Sequence, residues 1–267
     1  MRWPDLFART RPTPSASIRY GDDQLQVVDL WLPTGPGPHP VALMVHGGCW
    51  QSEIADRRIM NWIADDLRRR GIAVWNIDYR GVDRAGGGYP GTFLDAAAAA
   101  DSLRVHAARY NLDLARVVAV GHSAGGHLAL WLAGRGRLPA SSPLRAADPL
   151  PIAGVVSLGG LPDLEEAARA PGSGCGTEVI AQLTGGRFED TSVPRLAPLG
   201  VPQVLINGAQ DRIIPAAYAE GYAAPMRKAG DNVRVHMVER TGHVELIVPE
   251  SDAWKVAASE IGQALGR

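Results

Sequence analysis

The segment Gly121-His122-Ser123-Ala124-Gly125 fits the pattern G-x-S-x-G. It directly follows the apolar run RVVAV and directly precedes HLALWLA, so we expect a sharp turn between a strand and a helix. Such a turn presents the serine hydroxyl at the N-terminus of the helix, where the backbone N–H of Ala124 can donate to a developing oxyanion. The pattern therefore predicts that Ser123 is a nucleophile. The alternative is a glycine-rich turn that contains a serine.

A nucleophilic serine needs a base, and the chain has seven histidines. His243 comes in the loop that follows the apolar run VRVHMV, whereas His236 lies inside that run. Because α/β sheets hold their ligands beyond the carboxyl ends of the strands, we favour His243 as the base over His236. His122 is adjacent to the serine, and adjacent side chains on a sharp turn point apart. We therefore treat His122 as a residue of the pocket.

The imidazole in turn needs an acid that fixes its tautomer and stabilises its charged form. Asp211 follows the run VLIN in the loop Gly208-Ala209-Gln210-Asp211. The order Ser123, Asp211, His243 is the chain order of the triad that the G-x-S-x-G turn predicts. Asp163, which follows the run IAGVVSL, is the alternative acid. Asp211 could instead be a helix cap before Pro215.

The segment HGGCW, residues 46–50, follows the apolar run VALMV and predicts an oxyanion hole. Glycines let backbone N–H groups face a site without an intervening side chain. We expect Gly48 and Cys49 to be the donors, joined by Ala124. A free buried thiol is the simplest interpretation of the Cys49 side chain. We expect His46 to hold the loop by a hydrogen bond, and three residues of the segment are candidates for the pocket: His46, Gly47 and Trp50.

The elements that must position these residues are apolar runs that alternate with helical patterns. The runs are predicted strands at 24–32, 41–45, 72–77, 116–120, 152–158, 204–207 and 233–238. Helical patterns cover residues 54–70, 92–109, 124–133, 215–229 and 251–265. Continuous apolar strands between helices predict an α/β fold with a mostly parallel sheet that is covered on both faces.

The chain organisation favours one domain. Residues 1–16 contain three prolines among polar residues and predict an N-terminal arm, and residues 17–267 show a single composition. The least regular stretch, residues 162–202, is predicted to be a small cap over the sheet edge. The arm, this cap and the glycine-rich loop at 86–88 are the expected walls of the pocket.

Composition excludes several classes of function. The chain has 267 residues, with 27 Lys and Arg against 28 Asp and Glu, which gives a net charge of −1. The chain therefore lacks the net positive charge that would favour binding to nucleic acid or to an anionic membrane. The two cysteines form neither a CxxC pair nor a disulfide framework, and we expect no metal site. No signal-peptide pattern or apolar run of membrane-spanning length is present, so we expect a cytoplasmic protein. Oligomeric state is not predicted.

The ordered motifs HGGCW, NIDYRG, GHSAGGHLALWLA, NGAQDRIIP and TGHVELI resemble those of the α/β-hydrolase superfamily. Within it the chain resembles HGG-containing bacterial esterases of the feruloyl/acetyl-esterase-like carboxylesterase group. The resemblance implies an eight-stranded, mostly parallel sheet flanked by helices. It also implies a serine hydrolase that cleaves small carboxylic esters through an acyl-enzyme, without a cofactor.

The HGGxW pattern is also similar to the arylformamidase (kynurenine formamidase) branch, in which Trp50 would be the matching tryptophan. This alternative keeps the triad and changes the substrate to an N-formyl amide. A non-catalytic binding protein that reuses the fold is a third hypothesis, and the complete set of triad residues argues against it.

Overall fold

A computed structural model describes residues 1–169 and 174–267. Within these ranges eight strands form one sheet in the order β1-β2-β4-β3-β5-β6-β7-β8. The strands β1 and β2 pair antiparallel, β2 runs antiparallel to β4, and the remaining pairs are parallel. Their bounds are β1 Ala16–Arg19, β2 Val27–Trp31, β3 His39–Val45, β4 Ala73–Ile77, β5 Leu112–His122, β6 Gly154–Leu158, β7 Gln203–Gly208 and β8 Val233–Val238.

Helices cover both faces of this sheet. In the described residues they are α1 Trp3–Phe7, α2 Asn61–Arg69, α3 Gly91–Tyr110, α4 Ala124–Gly134, α5 Leu164–Arg169, α6 Thr177–Thr184, α7 Phe188–Thr191, α8 Ala217–Lys228 and α9 Asp252–Ala264. None of them has the length and hydrophobicity that a membrane-spanning helix requires.

The predicted α/β fold with a mostly parallel sheet is confirmed. Every residue of β2, β3, β4, β6 and β7 is buried, which accounts for the largely apolar sequences of these strands. Strand β1 was not predicted, because its four residues alternate between half-buried and exposed and lie at the edge of the sheet. Helix α2 begins later than predicted, after a 3-10 turn at Arg57–Met60.

The register of the parallel strands brings the predicted site residues to one edge. Val45 of β3 lies beside Gly121 of β5, His122 lies beside Leu158 of β6, and Leu158 lies beside Ile206 of β7. The loops that follow these strands therefore emerge side by side. They contain the HGGCW segment, Ser123 and the loop that ends at Asp211.

Two segments depart from the expected organisation. Leu6 of α1 is fully buried in the hydrophobic core on one face of the sheet, which corrects the expectation that residues 1–16 are an arm outside the core. The predicted cap at 162–202 contains α5, α6 and α7, and Leu164, Ile180 and Leu183 pack into the core on the other face. Residues 170–173 of the predicted cap lie outside the described residues.

Candidate active site

Ser123 occupies a strained turn between β5 and α4. Its φ of 55° and ψ of −123° lie in a region that residues with a side chain rarely adopt, and the residue is 2% exposed. The backbone N–H of Ser123 donates to the carbonyl oxygen of Leu158 at 2.8 Å. This contact to the neighbouring strand holds the turn in place.

Two glycines permit the turn. A Cβ at Gly121 would lie 2.0 Å from the carbonyl oxygen of Gly125, and a Cβ at Gly125 would lie 2.1 Å from the carbonyl oxygen of Val45. Both obstacles are backbone atoms, so a side chain at either position would force the strand and the helix apart. The spacing of G-x-S-x-G is thus a packing requirement.

His243 and Asp211 form a buried pair. Nδ1 of His243 donates to Oδ2 of Asp211 at 2.6 Å, while Oδ1 of Asp211 accepts the backbone N–H groups of Ile213 and Ile214 at 2.8 and 2.9 Å. Because an ionised carboxylate can only accept, Nδ1 carries the proton and Nε2 keeps a free lone pair. That nitrogen can accept a proton from a nucleophile.

The alternative acid and base have other partners. Oδ1 of Asp163 accepts the backbone N–H groups of Glu165 and Glu166 at 3.1 and 3.0 Å, so Asp163 caps α5. His236 pairs through Nε2 with Oε1 of Glu260 at 3.0 Å. The structure therefore brings Asp211 to His243 and leaves Asp163 and His236 in structural contacts.

His122 packs against His243, the predicted base. Its Nε2–H donates to the carbonyl oxygen of His243 at 3.2 Å, and the two ring centroids are 4.5 Å apart. Burial, together with the nearby His243 ring, lowers the pKa of His122 well below its ordinary value. His122 is thus a neutral ring in the wall beside Ser123.

The HGGCW segment forms a second strained turn. Gly48, Cys49 and Trp50 have φ values of 111°, 51° and 53°. Gly47 passes so close to the serine that a Cβ there would lie 2.9 Å from the Cβ of Ser123. The geometry places the predicted donors Gly48 and Cys49 on the same cavity wall as the hydroxyl.

A buried polar cluster holds this turn. Nε2–H of His46 donates to Oδ1 of Asp78 at 2.9 Å. The hydroxyl of Tyr79 donates to the carbonyl oxygen of His46 at 2.9 Å, and the two rings stack with centroids 4.4 Å apart. Arg57 donates to the other oxygen of Asp78 at 2.8 Å. His46 acts here as a support for the loop.

Sequence reasoning missed Asp78 and Arg57 as supporting residues. Asp78 belongs to the segment NIDYRG, which comes directly after β4 at the same sheet edge, so its position carried a signal. Arg57 lies in a turn that the helical pattern did not resolve.

A cavity of about 170 Å³, which we call the inner pocket, joins the serine to the base. Of the four pocket candidates His122 lines it, whereas His46, Gly47 and Trp50 do not, which corrects their assignment to the pocket. Trp50 is fully buried and packs edge-on against His127 with centroids 5.5 Å apart, which corrects its assignment to the pocket wall. The inner pocket is lined by Trp3, Phe7, Gly48, Cys49, Ile54, Ala55, Ile59, His122, Ser123, Ile213 and His243.

The two cysteines are joined. Cys49 and Cys175 form a disulfide with their Cα atoms 5.2 Å apart, so the expectation of a free thiol at Cys49 was wrong. The two residues are 126 positions apart in sequence, so the bond links the segment 46–50, which we call the oxyanion loop after its predicted role, to the residues directly before α6. The bond covalently attaches the predicted cap to that loop.

The described residues contain no group of three His, Cys, Asp or Glu side chains arranged to hold a metal ion.

Comparison with known proteins shows the family to which the chain belongs. The BD-FAE family model matches residues 28–223, which is well over half of the chain. The chain belongs to the BD-FAE family. The BD-FAE match includes Ser123 and Asp211 and ends before His243.

The BD-FAE chain is also similar to two curated plant proteins, both described as probable isoprenylcysteine alpha-carbonyl methylesterases. One, from Arabidopsis thaliana, is 34% identical over 119 residues, which cover 44% of this chain and 24% of that protein. The other, from Oryza sativa subsp. japonica, is 24% identical over 252 residues, which cover 88% of this chain and 59% of that protein. The chain therefore spans less than two thirds of each relative.

Solved structures show the same fold. A truncated carbohydrate esterase from gut microbiota aligns with a TM-score of 0.77 at 22% identity, covering 96% of this chain and 98% of that one. Esterase 2 of Thermogutta terrifontis with bound propionate aligns with a TM-score of 0.76 at 22% identity, covering 100% and 97%. The fold of this BD-FAE chain is the α/β-hydrolase fold.

Proposed function

We propose that this protein is a serine hydrolase of small carboxylic esters that works through an acyl-enzyme. The observation that carries the proposal is the buried Asp211–His243 pair, which opens onto the same small cavity as the strained Ser123. The names of the curated relatives and of the similar structures, all esterases, support the same class of reaction.

The proposed reaction begins when Ser123 Oγ attacks the ester carbonyl carbon and its proton passes to Nε2 of His243. Asp211 holds Nδ1–H and stabilises the imidazolium by its charge. The N–H groups of Gly48, Cys49 and Ala124 stabilise the oxyanion.

The tetrahedral species then collapses, the C–O bond to the alcohol breaks, and the leaving oxygen takes the proton from Nε2. Water repeats the cycle on the acyl-enzyme and releases the acid.

The arylformamidase alternative rested on Trp50. Because Trp50 is fully buried beneath the oxyanion loop, it offers no contact to a substrate in the inner pocket. We therefore retain ester hydrolysis as the proposed reaction. The comparison of p-nitrophenyl acetate with N-formylkynurenine tests it, and we expect turnover of the ester. Turnover of the formamide without the ester would overturn this choice.

The assignment of the acid has its own test. Asp211→Asn should lower kcat by about 10⁴-fold, because an amide in this place favours the wrong histidine tautomer. Asp163→Asn is the matched control, since it changes an equally conservative group that caps α5, and its kcat should stay within about threefold of the wild type. The reverse ranking would move the acid to Asp163.

The predicted partner is a small-molecule ester, and binding of nucleic acid or membrane is not expected. A cytoplasmic location also remains a prediction. Cytosolic thiol systems reduce most disulfides, so that location would place the Cys49–Cys175 bond at risk.

A further inference from the structure

His243 faces two cavities. One is the inner pocket, and the other is a larger space of about 820 Å³, which we call the outer cavity. Both cavities share three lining residues: Trp3, Ile213 and His243. The indole of Trp3 therefore stands at the boundary between them, beside the base.

The two cavities differ in chemistry. The inner pocket contains Ser123 and the oxyanion loop, and most of its other lining side chains are apolar. The outer cavity has a mixed lining, in which Arg2, Gln210, Arg212 and Glu245 lie among apolar residues, so it is richer in charged side chains than the inner pocket. It does not contain the loop at Gly48.

The proposed reaction assigns a part of the ester to each cavity. The carbonyl oxygen must lie at the oxyanion loop, so the acyl chain extends into the inner pocket. The leaving oxygen must lie within reach of Nε2 of His243. Because His243 lines both cavities and the acyl chain occupies the inner pocket, we place the alcohol on the side of the outer cavity. A cavity of about 150 Å³ accommodates benzene, so the inner pocket holds a short chain or one ring.

The helix α1 lines one side of the inner pocket with Trp3 and Phe7, and it is anchored to the rest of the protein. Leu6 is fully buried in the core, which anchors the helix. Trp3 stacks on Phe7 with centroids 5.8 Å apart, and its edge meets the ring of His122 at 6.2 Å. Arg9, just beyond the helix, pairs with Glu250 at 2.7 Å. The rings of Trp3 and Phe7 thus form one wall of the pocket that contains Ser123, and the buried Leu6 keeps that wall in position.

We propose that Trp3 and Phe7 determine acyl specificity: they limit the length of the acyl chain, and Trp3 separates the acyl and alcohol sites. This inference rests on the proposed ester hydrolysis. It assigns a function to residues 1–9 that the catalytic groups alone do not require.

The test measures kcat/KM for p-nitrophenyl esters of two, four and eight acyl carbons. In Trp3→Ala the two cavities merge, so the ratio of octanoate to acetate activity should rise by about tenfold or more over the wild type. Phe7→Ala should raise it less, because Phe7 is already 46% exposed. Trp3→Phe keeps a ring and should retain most of the wild-type preference. Val105→Ala, at an exposed site on α3, is the matched control and should leave the ratio unchanged.

Three outcomes would overturn the inference. An unchanged acyl-length ratio in Trp3→Ala and Phe7→Ala, with acetate turnover retained, would remove α1 from acyl selection. A ratio that changes across acetates of ethanol and hexanol, and not across acyl lengths, would reverse the two sites. Absence of ester turnover in the wild type would instead refute the proposed function itself, which distinguishes the two failures.

Discussion

The two strained turns of the site, at residues 121–125 and at residues 46–50, lie side by side and are held in different ways. They follow the adjacent strands β5 and β3, in which Gly121 lies beside Val45. Backbone contacts fix the serine turn, because Gly121 and Gly125 leave no room for a side chain. Side chains fix the turn at residues 46–50, which we call the oxyanion turn after its proposed role, through His46, Asp78, Arg57 and a disulfide.

This difference indicates which substitutions should disrupt each turn. The serine turn depends on the absence of a side chain at two positions, Gly121 and Gly125. The oxyanion turn depends on groups that come from the loop after β4, from the turn before α2 and from the residues directly before α6. A local change should destroy the first turn, whereas a distant change should loosen the second.

We expect the largest loss of stability and of activity from a substitution in the serine turn. Gly125→Ala would place a Cβ 2.1 Å from the carbonyl oxygen of Val45, an overlap that only movement of the backbone can relieve. We expect a destabilisation of about 4 kcal/mol or more and loss of ester turnover. Urea unfolding measures the change in stability, and the kcat for an ester measures the loss of turnover.

Gly136→Ala is the control for that variant, because its Cβ would come no nearer than 3.8 Å to a neighbouring atom. Its stability and turnover should match the wild type. A fully active, stable Gly125→Ala would show that backbone contact does not fix this turn.

At the oxyanion turn, Asp78→Asn should leave the protein folded and lower kcat by about 10- to 1,000-fold. The change weakens the contacts to His46 and Arg57 and so displaces the amides that face the oxyanion. KM should change little, since this support acts on the transition state. Steady-state kinetics and circular dichroism check both claims. Unchanged kcat in Asp78→Asn would mean that the buried cluster does not position the loop.

The disulfide offers a smaller, reversible perturbation of the same turn. Loss of a bond that closes a long loop typically costs about 2–4 kcal/mol, so reduced protein should unfold at lower urea concentration. We expect a decrease in kcat that reverses on reoxidation.

Cys175→Ser is the matched variant, because it breaks the bond and leaves the oxyanion loop sequence intact. It should behave as the reduced wild type does and should not respond to reductant. If reduction changes neither the unfolding midpoint nor kcat, the bond does not support the loop.

The smallest expected effect is a pH-dependent change in stability that comes from His127, a buried residue of α4. Its Nε2–H donates to the carbonyl oxygen of Thr191 at 2.8 Å, and burial lowers its pKa from 6.5 to about 4. A histidine with a lowered folded-state pKa binds protons more readily when unfolded, so its contribution to stability is lost as the pH falls below about 6.5.

Between pH 7 and pH 5 this loss should be about 2 kcal/mol. His127→Gln keeps a donor and does not titrate, so its stability should decrease less over that range. Urea unfolding at the two pH values compares the proteins, and equal decreases would show that His127 does not cause the acid sensitivity.

The difference between local contacts and contacts from distant segments also explains which features the sequence could predict. The strand–turn–helix around Ser123, the loop ending at Asp211 and the loop at His243 depend on local patterns, and the sheet brings their ends together. Asp78, Arg57 and the Cys49–Cys175 bond act through contacts between distant segments, which no local pattern encodes. The four residues of β1 and the five of α1 are too short to give a periodicity.

Trp50 illustrates the opposite error. Its position next to the oxyanion glycines suggested the pocket wall, but its positive φ turns the indole into the core against His127. Sequence adjacency fixed the position of its backbone and left the direction of its side chain open.

The most direct test of the central claim is covalent labelling by a fluorophosphonate probe, read by mass spectrometry of the digested protein. We predict one phosphonyl adduct on the peptide that contains Ser123, with parallel loss of ester turnover. Ser123→Ala should fold normally, take no label and hydrolyse no ester. Full ester turnover by a folded Ser123→Ala protein, or labelling at another residue, would contradict the account.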